Sequence, residues 1–528
     1  MKHNTILLLK LLLMNQLKLN QLKDKNRKKK LSMILIGAMV LFLSIMLGMY
    51  SYGIGYSLGM IGIARVIPSY ALTIVGIVTL FFTAFKSNGI LFGTKDYESL
   101  MSLPIKTSEI IASRFLHMYL MNTYFAFLVM APLGLTYVVF EKPSGSFGFI
   151  WGVGILFSTL FPTTLATIVG GIIAFISSHF KYTNAVSIIL SLILVIGILL
   201  SSFGLGGIEE SVMQTAQLSK LGEMILNELH KIYPLSFLFE KAVVKNSWLS
   251  FVGFLALSVI IYLLFIKVLS LQYKKINTAI LSFQAKSNYK LQEMKMSSTR
   301  KALYKKEIKR FFSSYAYVLN IGMGAVMASV MTLSVFILQP ATLEKALEVT
   351  NLEPLLSKVI SFAFSMVLCM SCTTSVALSL EGKNLWILKS LPVSTKIILD
   401  SKILVNLTIT LPVSIVFGIL MNLKFDTDII TRIFFYVIPI TYSFFIAVWG
   451  MFINIKLPNY EWTSETAVIK QGLASMLGML GGPVFALIPL IVVILLPSIS
   501  YQFVQVGAVI LIAMFVITLY RYLAKCKI

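Results

Sequence analysis

Long apolar stretches occupy most of the chain, and short polar or charged segments separate them. The clearest apolar stretches are 31–50, 71–85, 149–177, 185–203, 251–266 and 506–520. About 20 consecutive apolar residues are needed for a helix to cross the hydrocarbon core of a bilayer. Because such stretches recur from one end of the sequence to the other, the pattern predicts an all-α polytopic membrane protein.

Hydropathy and charge together predict about 12 transmembrane helices. In the first half they cover roughly 32–55, 62–85, 111–139, 148–177, 184–203 and 248–271. In the second half they cover roughly 314–338, 357–380, 399–423, 430–453, 469–496 and 501–522. The first 30 residues are too basic and too long for a cleaved signal, so the first helix is expected to be retained.

The distribution of charge predicts the orientation of the chain in the membrane. The 528 residues carry a formal net charge of +24, and the basic residues concentrate in Lys23–Lys30, Lys274–Arg310 and Arg521–Lys527. These clusters flank predicted spans, which argues against a nucleic-acid partner and for retention on the cytoplasmic side. Both termini and the central linker are therefore expected in the cytoplasm of a protein in the cell membrane.

One segment occurs twice at equivalent places. Leu100–Leu116 and Leu388–Leu404 are identical at about eight of seventeen positions, including Ser-Leu-Pro, and each follows the second predicted span of its half. An even number of spans per copy gives repeats of the same orientation. The sequence thus predicts two parallel six-helix repeats: a first unit 1–272, a basic cytoplasmic linker 273–313 and a second unit 314–528.

A Lys-bearing amphipathic stretch precedes the first span of each unit. Ile6–Lys23 mixes leucines with lysines, and Leu303–Phe312 spaces its apolar residues about one turn apart. Such helices lie in the membrane interface with their cations toward the headgroups. For Ile6–Lys23, ordinary charge beside the first span is the alternative explanation.

The Ser-Leu-Pro segments are the best candidates for a functional surface. We expect each to form a short cytoplasmic helix with Pro104 or Pro392 in its first turn, where the missing N–H costs little. A rigid, partly apolar knob on a loop is suited to docking a partner. The alternative is a loop helix packed on its own bundle.

This organisation resembles the membrane subunits of type 2 ABC exporters. Members have an interfacial helix, six spans, a coupling helix between spans two and three, and re-entrant helices before span six. The resemblance covers two fused units, and 204–247 falls where the family has its re-entrant helices. The second half departs from the pattern, because little more than Pro497–Tyr501 separates its last two spans.

The resemblance implies that Asp96–Arg114 and Lys383–Lys402 are coupling elements, each seated on a separate ATP-binding subunit, two copies in all. A polar loop, Lys456–Lys470, would reinforce docking. The implied docking residues are Ser102, Leu103, Pro104, Ile105, Thr107, Ser390, Leu391, Pro392, Val393, Thr395 and Trp462. The implied function is outward movement of a hydrophobic or amphipathic substrate.

The sequence lacks the motifs of common catalytic sites. It has no Gly-x-x-x-x-Gly-Lys-[Ser/Thr], and Gly89–Lys95 has one residue too few between its glycines. No zinc-protease or nucleophile-elbow motif occurs either. We therefore expect no enzyme and no cofactor in this chain, with ATP and Mg in the partner subunit.

Two other functions stay open at this point. An ion-gradient-driven secondary transporter with parallel repeats is one, and a membrane-embedded transferase or scaffold that does not transport is the other. Ionisable residues in or near spans would favour ion coupling, and they are scarce. Arg65, Arg114, His117 and Lys267 lie close to predicted span ends, where their side chains are expected to snorkel toward water.

Overall fold

The computed structural model describes residues 3–16, 27–91, 97–178, 218–281, 297–337, 352–462, 472–496 and 500–526, with 186, 188, 190, 465, 468 and 469. The regular secondary structure in these residues is helical throughout. The helices up to residue 281 are α1 (His3–Gln16), α2 (Arg27–Met60), α3 (Ile67–Leu91), α4 (Tyr97–Met101), α5 (Thr107–Glu141), α6 (Phe147–Ser158), α7 (Leu160–Ser178), α8 (Leu218–Ile232), α9 (Leu235–Val244) and α10 (Trp248–Leu281).

The remaining helices begin after residue 297. They are α11 (Thr299–Ser313), α12 (Tyr315–Ile321), α13 (Met323–Ile337), α14 (Leu352–Leu368), α15 (Thr374–Ala377), α16 (Leu385–Ser390), α17 (Thr395–Lys424), α18 (Ile429–Lys456), α19 (Leu473–Leu495) and α20 (Tyr501–Lys525). The described helices form two compact units, of which one ends with α10 and the other begins with α11.

Nine stretches in the described ranges are long and apolar enough to cross a membrane. A tenth is the pair α12 and α13, which is bent by 46° at Gly322. These helices confirm the prediction of an all-α polytopic membrane protein. Of the two other predicted spans, 184–203 lies almost entirely outside the described residues.

The other of these two predicted spans, 357–380, is not a continuous helix, so this prediction was wrong. α14 ends at Leu368, the chain turns through residues 369–373, and the short helix α15 follows. Apart from Met370, the side chains from Cys369 to Gly382 are buried. Hydropathy could not reveal this interruption, because the segment is apolar enough to be buried whether or not it is helical.

In the first unit, α3 lies at the centre and packs against α5, α7 and α9. Small residues let the helices approach closely: a Cβ atom at Gly55 or Gly59 of α2 would meet Thr136 or Phe140 of α5. Asn122 of α5 donates hydrogen bonds to Thr83 (2.8 Å) and Thr163 (2.9 Å). Close backbones and interhelical hydrogen bonds are the usual means by which membrane helices associate.

In the second unit, α17 and α18 form the central pair, and α18 also packs against α14, α19 and α20. Aromatic rings fill this core, where Phe364 of α14 stacks on Phe417 of α17 with ring centroids 4.0 Å apart. Phe445, Trp449, Phe485 and Phe515 form a second aromatic group between α18, α19 and α20. Each unit therefore holds its spans together with its own core.

The helix that ends the first unit extends beyond the predicted boundary at 272. α10 continues to Leu281, and its Tyr273 hydroxyl donates a hydrogen bond to the Leu91 carbonyl at 2.9 Å. This contact ties the end of α10 to the end of α3 and gives Tyr273 a buried position. Composition suggested a linker from 273 because the segment is polar, but a buried tyrosine and asparagine, Asn277, keep it packed.

Candidate functional site

In each unit, the structure describes a proline-containing bend where a short helix is followed by a long one. In the first unit α4 ends at Met101 and α5 begins at Thr107. In the second unit α16 ends at Ser390 and α17 begins at Thr395. We call residues 102–107 the first elbow and residues 390–395 the second elbow. Together they contain all the predicted docking residues except Trp462.

The same hydrogen bonds close both elbows. One is a main-chain bond across the proline-containing turn, and the other joins a serine hydroxyl to the preceding helix. They are Ile105 N to Leu103 O and Val393 N to Leu391 O (each 2.7 Å), and Ser102 Oγ to Ser99 O (2.8 Å) and Ser390 Oγ to Ile387 O (2.9 Å). The likeness between the two segments in sequence is thus also a likeness in conformation.

The prolines lie in the bend and not in the first turn of a helix, so that part of the prediction was wrong. The short helices precede the prolines, and Leu391 has extended dihedral angles, φ −72° and ψ 142°. A residue before proline avoids the helical region because the proline ring clashes with its backbone. Pro104 and Pro392 therefore end a helix and turn the chain.

Exposure follows the same order in the two elbows. Ser102, Leu103 and Pro104 are exposed, whereas Ile105 and Thr107 are half-buried. The second elbow repeats this pattern at Ser390, Leu391, Pro392, Val393 and Thr395. Leu103 and Leu391 are 48% and 43% exposed. Each elbow thus presents one leucine outward and keeps two β-branched residues half-buried.

A buried cation lies two turns beyond the first elbow. Arg114 of α5 is 3% exposed, and its guanidinium donates to the carbonyls of Ile90 (3.2 Å) and Leu91 (3.3 Å) and to the Tyr273 hydroxyl (3.2 Å). The last carbonyls of a helix lack partners within it and carry its negative dipole. Arg114 satisfies those of α3 and so fixes α5 to the preceding span.

Lys402 occupies the equivalent place after the second elbow, and acids surround it. Its ammonium lies 2.8 Å from Glu307 of α11 and 2.8 Å from Glu381, and it also donates to the Ala377 carbonyl at 3.0 Å. Arg310 and Lys306 contact Glu381 at 3.0 Å and 2.9 Å. We call these five charged side chains the charge cluster.

The charge cluster alters the acidity of Glu381, which lies outside the candidate spans. Burial raises the pKa of this carboxyl, but the neighbouring Lys402, Lys306 and Arg310 outweigh burial and hold the pKa well below its usual range. Glu381 is therefore ionised at neutral pH. An ionised, fully paired carboxylate can join α11, the turn at 379–384 and α17 into one assembly.

Two of the four residues expected to snorkel have other positions or partners. Arg114 is buried within its unit, because the carbonyls at the end of α3 offer it partners that the sequence could not reveal. His117 also makes an interaction within the protein. Arg65 and Lys267 are exposed, and Arg65 also lies 3.7 Å from the Glu141 carboxylate. Their snorkelling toward water stays a prediction.

Trp462, the remaining predicted docking residue, packs against the turn at residues 379–384, which precedes α16 and the second elbow. Its indole N–H donates to the Ser379 carbonyl at 2.8 Å, and its ring lies beside Gly382, which has a φ of +57°. The side chain is half-buried. Trp462 thus supports the turn that carries Glu381 and presents less surface than the elbow leucines.

Two asparagines hold the interrupted segment between α14 and α16. Asn406 of α17 accepts hydrogen bonds from Thr373 N (2.7 Å) and Thr373 Oγ1 (2.9 Å). Asn454 of α18 accepts from Leu378 N (2.8 Å) and Ser379 N (3.1 Å). An irregular backbone at membrane depth is tolerated where the surrounding protein supplies such partners. The segment is therefore a built feature of the second unit.

Sequence reasoning missed two kinds of residue at this site. Trp386 and Ile387 of α16 are 64% and 46% exposed beside the second elbow, although their apolar run could have marked them. Glu307 and Glu381 were also missed, because a lone acid gives no signal in a sequence until the fold brings it to a lysine.

The fold and the buried polar groups define a polytopic, all-α integral membrane protein. Residues 26–524 match the model of the family described as membrane protein of 12 TMs, and the chain belongs to that family. The twelve spans named in the family description agree with the number that hydropathy predicts. No curated protein and no solved structure matches the chain significantly.

Proposed function

We propose that this chain is the membrane-spanning permease of an ATP-driven exporter, and that its two elbows dock a separate ATP-binding subunit, one copy at each. The substrate is hydrophobic or amphipathic and moves outward. The observation that carries the proposal is the pair of elbows. Each is an exposed leucine-proline bend of the same conformation, and each is followed, two turns along the next helix, by a buried cation.

The geometry of the elbows suits a mechanical input. Each elbow continues directly into a long helix, α5 with 35 residues or α17 with 30 residues. Arg114 and Lys402 join these helices to the segment that precedes the elbow. A displacement of the elbow would therefore move two segments together, because rigid helices and buried hydrogen bonds transmit small shifts.

The exposed apolar side chains support protein docking. Leu103, Leu391 and Trp386 project from turns and short helices outside the candidate spans. Aromatic and apolar anchors that fill a pocket carry much of the energy of protein interfaces. The absence of a phosphate-binding motif in the sequence adds a second argument, since the energy for such a machine would come from another chain.

The test is co-purification of the tagged full chain in a mild detergent, followed by mass spectrometry of bound proteins. We expect an ATP-binding chain with the wild-type protein and its loss with the double variant Leu103→Glu/Leu391→Glu. Both leucines are exposed, so the substitution is expected to leave folding intact. ATP turnover in membranes should fall in the same variant.

The matched control is Leu103→Met/Leu391→Met, which keeps an apolar side chain of similar volume at each elbow. We expect this variant to retain the partner, and both variants should have the melting temperature of the wild type. Failure of the wild type to bring down any ATP-binding chain, or retention of that chain by the glutamate variant, would contradict the proposal.

A further inference from the structure

A groove of about 600 Å³ runs along the surface of the second unit, between α17, α18 and α20. Most of its lining is aliphatic or aromatic, and Leu404, Phe444 and Ile517 are 46%, 41% and 52% exposed. From Asp400 to Leu407 the groove follows α17 for about 10 Å, at 1.5 Å per residue. Three membrane helices therefore leave an open apolar groove on one face of this unit.

One end of the groove is cationic. Arg300 of α11 and Arg521 of α20 line this end, and both are exposed. Within the residues that the structure describes, neither guanidinium forms an ion pair or a hydrogen bond. The Lys396 ammonium lies 5.8 Å from the ring centroid of Tyr520 at the same end.

The acid at this end is already engaged. Asp400 accepts a hydrogen bond from the Tyr520 hydroxyl at 2.9 Å. Asp400 keeps its negative charge, but three cations, Arg300, Arg521 and Lys396, lie at the same end, so the positive charges outnumber it. A guanidinium matches the geometry of a phosphate group, to which it can donate two parallel hydrogen bonds.

We propose that this groove binds an anionic phospholipid, with the headgroup phosphate between Arg300 and Arg521 and an acyl chain along α17. The chemistry of the two ends matches the two ends of such a lipid. α20 ends in Arg521 and Lys525, and the basic ends of spans lie on the cytoplasmic side, where anionic lipids interact with cationic residues. The site is independent of any ATP-binding partner.

The experiment is native mass spectrometry of the delipidated full chain in detergent, titrated with dioleoyl phosphatidylglycerol or dioleoyl phosphatidylcholine. We expect one phosphatidylglycerol to bind about tenfold more tightly than phosphatidylcholine. Both lipids offer a phosphate to the arginines, but the choline cation of phosphatidylcholine is repelled by Arg300, Arg521 and Lys396, whereas phosphatidylglycerol keeps a net negative charge. Equal binding of the two lipids would overturn the proposal.

Variants separate this site from general charge attraction. Arg300→Gln/Arg521→Gln should lose the preference, whereas Lys305→Gln/Lys309→Gln removes the same charge from exposed positions of α11 away from the groove and should keep it. Arg300→Lys/Arg521→Lys should retain part of it. A preference that survives in the glutamine variant of the arginines would refute the assignment.

A further variant distinguishes a lipid from a free anion. Leu404→Trp fills part of the groove at an exposed position, so it should weaken phosphatidylglycerol binding several-fold while the arginines stay in place. Inorganic phosphate at millimolar concentration should not displace the lipid. If phosphate displaces it and Leu404→Trp has no effect, the arginines form a simple anion site and the lipid proposal is wrong.

Discussion

Arg114 and Lys402 occupy equivalent positions in the two units, but their buried charges have different partners. Both residues follow an elbow by the same number of residues, and both are buried. Arg114 uses main-chain carbonyls and a tyrosine, whereas Lys402 uses Glu307 and Glu381. A cation in a membrane protein needs such partners because its desolvation is costly. The two anchors share a role in structure, and the contacts of Lys402 include two carboxylates.

Replacement of Lys402 should be strongly destabilising. In Lys402→Met the two carboxylates, Glu307 and Glu381, lose a buried counter-charge, and breaking a buried ion pair from one side costs about 3–5 kcal/mol. The measurement is thermal unfolding of the purified protein in detergent. Lys396→Met, an exposed residue on the same helix, serves as the control and should unfold like the wild type. Equal melting temperatures for the two variants would show that the cluster contributes little.

The charge cluster also predicts a pH dependence. Because the folded pKa of Glu381 is depressed, its stabilising contribution is fully present above the unfolded value of about 4.3 and declines as the pH falls below it. The melting temperature should therefore drop as the pH falls from about 5 to about 3. Glu381→Gln should be less stable than the wild type at pH 6 and should show a flatter profile. Parallel profiles would assign the pH dependence to other groups.

At the scale of elements, the elbows and the interrupted helix show two ways of ending a helix. At the elbows the proline is responsible, since it forces Leu391 out of the helical region. At residues 369–373 no proline is present. Side chains of neighbouring helices replace the main-chain hydrogen bonds that are lost where the helix ends; for example, Asn406 accepts a hydrogen bond from Thr373 N. The second kind of ending exists only because other helices pack tightly around it.

Close packing around the interrupted segment is testable at a glycine. A Cβ atom at Gly450 of α18 would lie 2.9 Å from Ser375 N and would also collide with Cys372 and Thr374. Gly450→Ala should therefore destabilise the protein by about 1–3 kcal/mol through overpacking. Gly507→Ala on α20, where nothing lies within 4 Å, should be neutral or slightly stabilising. Thermal unfolding would decide, and equal effects would mean that the segment yields easily.

At the scale of the whole molecule, the predicted topology places the basic ends of the spans and the two elbows on the same side of the membrane. The expected arrangement has both termini and both elbows in the cytoplasm, because basic residues near span ends are retained there. The loop between α5 and α6, which contains Ser144, would then lie outside. This arrangement is a prediction from charge, and it underlies the proposed docking of an ATP-binding subunit.

Cysteine labelling tests the topology directly. In a Cys526→Ser background, where Cys369 and Cys372 are buried, Ser144→Cys and Ser390→Cys each introduce one exposed thiol. A membrane-impermeant maleimide added to intact cells should label Ser144→Cys and should label Ser390→Cys only after permeabilisation. Labelling of Ser390→Cys in intact cells would place the second elbow outside and would rule out the docking proposal.

The sequence by itself determined the membrane class, the approximate places of ten of the predicted spans and the positions of the elbows. Apolar stretches must form helices in a bilayer, because no water is available to satisfy the backbone. The Ser-Leu-Pro segments could be found because identical residues recur at a constant spacing in both halves. Their exposed leucines follow from their place on polar loops.

Only the tertiary structure decided how the buried polar groups are satisfied. Nothing near Lys402 in the sequence indicates Glu307, which lies 95 residues away, and hydropathy treats the interrupted segment as an ordinary span. Arg300 and Arg521 likewise meet at one groove only through the packing of three helices. Ion pairs, backbone breaks and grooves depend on contacts between distant residues, whereas spans depend on the local transfer of side chains from water to lipid.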